Sequence, residues 1–250
     1  MNRIVFSIIL LISSCQPCFA SIKIGAGQSA GLYYTTAAYL CTIFTKEFNE
    51  KCEVIVTSGS KENVELLNSK KVDIALVQES LVPNKSTKIF KLYYEYLFIL
   101  YKEDKTNLQD IFKLSYNIDK KSGSYSTIES VLKTLNIPFT PSTSQNLKTE
   151  FDDFCYSDSA IRIYHIGFPS DLIETTLLQC SNVKIYSLNK SEKEILEAAE
   201  FSIYTINYLH QSITTIATPV YLIGSDPLNR YSKTIEKYKA FLKLSNPHLN

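Results

Sequence analysis

The chain has 250 residues, a formal net charge of +1 and 45% hydrophobic residues, enough to fill the core of one or two domains. Its basic residues are scattered lysines, and Arg162 and Arg230 are the only arginines after residue 20, so there is no basic stripe for nucleic acid. Beyond the first twenty residues, no apolar run reaches membrane-spanning length.

Residues 1–20, MNRIVFSIILLISSCQPCFA, have a charged start, an apolar run from Ile4 to Ile12 and a polar end. That is the layout of a secretory signal peptide and predicts an exported protein. Two processing routes fit. Cys18-Phe19-Ala20 suits cleavage before Ser21, whereas Ile12-Ser13-Ser14-Cys15 suits a lipobox that acylates Cys15.

The stretch Ile22 to Tyr34, IKIGAGQSAGLYY, reads as a short strand that turns through Gly25, Gly27 and Gly31 into a helix. Such a turn leaves backbone N–H groups at the helix N-terminus, where an anionic group can bind. The glycine spacing is one residue longer than the dinucleotide fingerprint, and no acidic residue follows about twenty positions later, so no nucleotide cofactor is expected. A helix over 32–48, a strand over 51–57 and a helix capped by Ser58 or Ser60 come next, with Val64, Leu66 and Leu67 inward. Val72 to Gln78 is nearly all apolar and reads as a strand buried on both faces. Pro83 and Asn84 mark a loop, and Tyr96 to Tyr101 is another buried strand. This β–α alternation predicts a parallel sheet.

Glu103 to Asn107 reads as the crossing into a second lobe, whose first unit starts at Leu114 to Asp119. A helix capped at Ser124 carries Ile128, Val131, Leu132 and Leu135 at helical spacing. A helix at Leu147 to Phe154, a strand at Ile161 to Ile166, a helix near Pro169, a strand at Val183 to Leu188 and a helix at Leu196 to Glu200 follow. Ile213 to Ile223 returns the chain to the first lobe, and Tyr231 to Leu244 is an amphipathic terminal helix. The expected organisation is a signal peptide over 1–20, a discontinuous first lobe over 21–103 and 216–250, and a second lobe over 104–215.

Six of the seven glycines fall at four strand-to-helix turns, each with Ser or Thr nearby. Loops at the carboxyl ends of strands are where open α/β sheets bind ligands. The candidate site therefore takes Gly27, Gln28, Ser29 and Tyr34 from the first turn, then Ser58, Ser60 and Gln78. Ser124, Ser126 and Thr127 come from the second lobe, with Gly167 and Phe168 at its last glycine turn. Tyr33 and Tyr34 are equally well read as core. Arg162 could clamp a carboxylate bidentately or stand in a salt bridge.

Four cysteines remain after the leader, Cys41, Cys52, Cys155 and Cys180, and they allow three pairings. Export and local placement favour Cys41–Cys52 and Cys155–Cys180. Metal ligation is the rival, but there is no C-x-x-C after residue 20 and the three histidines are isolated. Free buried thiols are a further alternative.

The blocks IKIGAGQSAGLYY, TSGSKENVELLNSKKVDIALVQ and YYEYLFILY together resemble the TAXI family of TRAP-transporter solute-binding proteins. The matches are Gly25, Gly27, Gly31, Tyr33 and Tyr34, then Gly59, Ser60, Asn63 and Ala75 to Gln78, then Tyr93 and Glu95. Cys155, Gly167, Pro169 and Cys180 match a later pattern, while the family's P-G-S-G-T turn reads S-G-S-Y-S-T here. The resemblance implies an α/β, two-lobed periplasmic-binding-protein type II-like fold, each lobe a mostly parallel sheet flanked by helices. It also implies a monomeric receptor that hands a small carboxylate-bearing solute, an amino acid such as glutamate or glutamine or a dicarboxylate, to TRAP-type permease subunits. No cofactor, metal or nucleic acid is expected. An exported hydrolase is the weaker reading, because His165, His210 and His248 lie in no G-x-S-x-G-like context. A surface interaction protein that keeps the fold without transport is another.

Overall fold

The computed structural model describes residues 21–29, 31–84, 86–102, 107–113, 118–140, 154–156, 160–208, 210–224 and 237. The leader, the start of the second lobe at 114–117, most of the helix expected over 147–154 and the terminal helix expected over 231–244 lie largely or wholly outside these residues.

One sheet runs through the described residues in the order β2-β1-β3-β8-β4-β5, with β6 beside β4 and β7 beside β8. Strands β1 (Ile22–Gly25), β2 (Cys52–Ile55) and β3 (Ile74–Gln78) are parallel, as the β–α alternation predicts. Helices α1 (Leu32–Phe48) and α2 (Ser60–Asn68) make the crossovers. Beyond β3 the pairing turns antiparallel. Strand β8 (Gln211–Gly224) runs against β3 and against β4 (Thr87–Tyr101), and β4 runs against β5 (Ile161–Gly167). The apolar run at Tyr96–Tyr101 is the second half of β4. A continuous apolar run marks burial on both faces but carries no direction, so it could not announce the reversal.

The two long strands tie the halves of the molecule together. The first half of β4 pairs with β8 and the second half with β5, while β8 pairs with β7 (Ile203–Tyr208) at its start and with β3 at its end. The β7–β8 hairpin turns through His210 at φ 64°.

Apolar side chains alternate across the strands and fill separate clusters on the two faces. Ile74 and Leu76 meet Tyr33, Ala37, Leu40 and Phe44 of α1, whereas Ala75 and Val77 pack with Leu67 of α2. In the other half, Ile161 and Ile163 meet Ile128, Val131 and Leu132 of α4 (Gly123–Thr134). On the opposite face, Tyr164 packs with Phe98, Phe154 and Ile173. Ile173 belongs to α5 (Asp171–Gln179). The remaining short elements are α3 (Leu108–Ile111), β6 (Lys184–Ile185) and α6 (Lys190–Ala198). Helix α6 opens with a reciprocal capping box between Asn189 and Glu192.

Two expected caps are displaced. The N-cap of α2 is Gly59 at φ 122°, a conformation that glycine adopts without a Cβ penalty. Neither Ser58 nor Ser60 caps the helix, and the Ser58 N–H donates instead to Glu62 Oε2 at 2.7 Å. The cap of α4 is Ser122, which accepts from the Tyr125 N–H at 3.1 Å, two residues before Ser124. Both disulfides are present. Cys41 is joined to Cys52 with Cα atoms 5.1 Å apart, and Cys155 to Cys180 at 4.8 Å.

Candidate functional site

The carboxyl ends of β1, β2 and β3 and the N-terminus of α4 converge on one cavity of about 110 Å³. The first turn lends it Gly27, Gln28, Gly31, Leu32 and Tyr33, and the second lends Ser58, Gly59 and Ser60. Gln78 ends β3, Glu95 comes from the middle of β4, and Asp119, Ser122, Gly123 and Ser124 close the other side. Residues Arg162 to Ile166 of β5 complete the wall.

Hydrogen bonds fix the polar groups in a directed chain. The backbone N–H of Gln78 donates to Ser60 Oγ at 3.1 Å, and Ser60 Oγ lies 3.0 Å from Tyr33 Oη. Tyr33 Oη donates to Glu95 Oε2 at 3.2 Å, so the Ser60 hydroxyl must be the donor to Tyr33. The Gln78 side chain spends both amide hydrogens, one on Glu95 Oε2 at 2.7 Å and one on His165 Nδ1 at 2.9 Å. Its Oε1 accepts from Thr127 Oγ1 at 3.5 Å. An Nδ1 that accepts leaves the imidazole hydrogen on Nε2, which has no hydrogen-bond partner among the described residues.

Burial decides the charges. Glu95 is 4% exposed, and loss of hydration pushes its carboxyl up to about 8, against the opposing hydrogen bonds from Gln78 and Tyr33. Burial pushes the His165 imidazole down to about 3. The Tyr33 hydroxyl is raised well above its usual value by burial and by the Glu95 carboxylate. The network is therefore essentially neutral near pH 7. Arg162 and Asp119 also line the cavity.

Of the residues expected from the sequence, Gly27, Gln28, Ser58, Ser60, Gln78, Ser124 and Arg162 line the cavity. Thr127 reaches it through Gln78. Thr127 and Ser126 line a second depression behind the long strands, with Ser80, Phe201 and Pro219. Ser29 is exposed at the turn, and Tyr34 points away from the face of α1 that carries Tyr33. Gly167 packs against Leu32, and Phe168 joins an aromatic group with Tyr96, Phe98 and Tyr208. Strand alternation puts Arg162 on the face of Tyr164, and its guanidinium carbon lies 4.7 Å from the centre of that ring. His165 occupies the other face, toward Gln78.

Sequence reasoning did not place Glu95 or His165 in the site. Glu95 falls in the Tyr93-x-Glu95 match, and a lone acidic residue amid an apolar run is the signal that could have found it. Among the described residues, no three His, Cys, Asp or Glu side chains are grouped to hold a metal, and no helix is long and apolar enough to cross a membrane.

Several solved structures share the fold. The effector-binding domain of QuiR in complex with shikimate superposes with a TM-score of 0.58 at 16% identity, over 92% of this chain and 99% of that one. The GluR0 ligand-binding core in complex with L-glutamate gives 0.57 at 11% identity, over 91% and 94%. A structure from work on glutathione import via GshT and the cystine ABC importer TcyBC of Streptococcus mutans gives 0.56 at 13% identity, over 92% and 91%. The fold is thus the mixed α/β periplasmic-binding-protein type II-like one. No curated protein matches the chain. The model of the NMT1-like family matches residues 24–229, most of the chain, and the protein belongs to that family.

Proposed function

We propose that this protein is an exported solute receptor of the TAXI type. It closes a first lobe, 21–103 with 216–250, and a second lobe, 104–215, on a small carboxylate-bearing solute and presents it to a TRAP-type permease. The carrying observation is the meeting of two helix N-termini at one cavity: Gly59 at the head of α2 lies against Ser122 and Gly123 at the head of α4. Both helices exceed two turns, and their free N–H groups and dipoles favour negative charge there. Arg162 also lines the cavity, with its side chain on the Tyr164 face of β5. The cavity favours the small end of the class, because an apolar cavity of ~150 Å³ holds a six-carbon ring.

A hydrolytic reading finds no support in the site. His165 meets an amide rather than a serine, and the Ser60 hydroxyl is committed to Tyr33. Thermal-shift titration with acetate, pyruvate, lactate, succinate, glutamate, glutamine and 2-oxoglutarate tests the class. Stabilisation by one or more carboxylates is the expected result. A sugar or polyamine that stabilises the protein while every carboxylate leaves it unmoved would overturn the proposal.

A further inference from the structure

Glu95 is an acidic group facing a cavity read as an anion site, and the hydrogen-bond directions say where an acid hydrogen can sit. Tyr33 Oη and Gln78 Nε2 both donate to one oxygen, Oε2. In a neutral Glu95 the oxygen that accepts from two donors is the carbonyl oxygen, so the acid hydrogen belongs on Oε1. Gln78 cannot turn to offer its own carbonyl to Glu95 without breaking its bonds to His165 and Thr127. The arrangement therefore accommodates either a carboxylate or an acid with its hydrogen on Oε1.

We propose that the cleft binds a small monocarboxylate through neutral Glu95, which presents its acid hydrogen from Oε1 to the solute's carboxylate. This rests on the receptor reading above and narrows it. An ionised Glu95 beside a bound carboxylate would put two anions in a cavity of about 110 Å³ that Asp119 also lines. Protonating Glu95 removes one of those charges and turns a repelling group into a donor, as carboxylic acids held neutral in apolar sites do.

The groups that face Glu95 fit this assignment. Tyr33 comes from α1, Ser60 from α2, Gln78 from β3 and His165 from β5. Thr218 of β8 and Gly167 of β5 stand opposite it in the sheet. Tyr33 and His165 are both held in their uncharged forms at neutral pH, so neither one draws the proton away. Burial supports the same state for Glu95, whose carboxyl is pushed up to about 8. Two acids of one chain thus differ in kind: Glu79, on the surface against Lys88, is held below its usual value by that ammonium.

Two measurements on the full-length mature protein test the proposal. Infrared difference spectroscopy of wild type against Glu95→Gln, without added solute, reads the protonation state itself. The expected result at pH 7 is a protonated-carboxylic-acid carbonyl band that is present in wild type and lost in the variant. Calorimetric titration with acetate, pyruvate and L-lactate at about pH 7 and about pH 9 reads the coupling. Wild-type affinity should fall about tenfold between those values, as expected for an acid that must stay protonated with a midpoint near 8, and Glu95→Gln should show a flat profile. Wild-type affinity that is the same at both pH values leaves the receptor reading standing and overturns the neutral-acid contact. Absence of the acid band overturns it as well. If no carboxylate binds at either pH, the receptor reading and this proposal fall together.

Discussion

The buried pair Glu95 and His165 predicts a stability profile with a plateau and two shoulders. Folded Glu95 keeps its proton up to about pH 8, whereas the unfolded side chain loses it near 4.5. Between those values the folded state binds more protons than the unfolded, so stability falls as pH rises. Folded His165 stays neutral down to about pH 3, whereas the unfolded side chain is protonated below 6.5. There the unfolded state binds more protons, and stability rises with pH. From about 4.5 to 6.5 the two slopes oppose each other and nearly cancel. Above 6.5 Glu95 acts alone for about 1.5 pH units, which at 1.36 kcal/mol per unit costs about 2 kcal/mol by pH 8. Below 4.5 His165 acts alone for about 1.5 units down to 3, a loss of similar size. Glu79, held ionised by Lys88, adds to the acid-side loss, so the alkaline shoulder is the cleaner one. Urea unfolding followed by tyrosine fluorescence and far-UV circular dichroism at about pH 5.5 and 8.5 measures it. Glu95→Gln should abolish the alkaline decline. Stability that holds or rises from 5.5 to 8.5 in wild type, or a decline that persists in Glu95→Gln, would refute the reasoning.

Three further outcomes are expected. Tyr33→Phe removes a donor to Glu95 and the acceptor of Ser60, and should cost about 1–3 kcal/mol in urea unfolding, whereas Tyr34→Phe should be near neutral. Reduction of the disulfides should lower stability by about 2–4 kcal/mol for each bond, with the 25-residue separation of Cys155–Cys180 counting somewhat more than the 11-residue one of Cys41–Cys52; equal melting temperatures with and without reductant would contradict this. Arg162→Lys should weaken carboxylate binding, because an ammonium cannot make two parallel N–H bonds. An unchanged affinity with a lowered melting temperature would assign Arg162 to its stacking on Tyr164 instead.

The glycines made much of the site legible. Gly27, Gly31, Gly59 and Gly123 were read as strand-to-helix turns, and all four line the cavity. The cysteine pairs followed from local placement. Helical phase could have chosen between the two tyrosines: Tyr33, Ala37, Leu40 and Phe44 recur at helical spacing and are buried, while Tyr34 is about 100° off that stripe. What composition and periodicity could not supply was long-range pairing. Glu95 enters the site because β4 is fifteen residues long and passes from the pairing with β8 to the pairing with β5 at that point. The sequence around it reads only as an apolar strand preceded by tyrosines. Strand β7 went unread for a related reason. Its turn at His210 has neither glycine nor asparagine, and its side chains are mostly half-buried or exposed, so no clean alternation marks it.

The absence of side chains at two glycines ties the shape of the site to its chemistry. A Cβ on Gly123 would strike the amide of Gln78, and a Cβ on Gly167 would strike Leu32. Both contacts join the turns of the first half to elements of the second, so close approach of the halves depends on those positions staying bare. Gln78 is the side chain that benefits most. With the head of α4 against it, its amide plane reaches Thr127 and His165 from one half and Glu95 from the strand that links both. Because both amide hydrogens are spent, the orientation of Gln78 sets the His165 tautomer and makes Oε2 the Glu95 oxygen that accepts from it. The polar chain through Gln78 therefore exists as a set only where α4, β3, β4 and β5 meet.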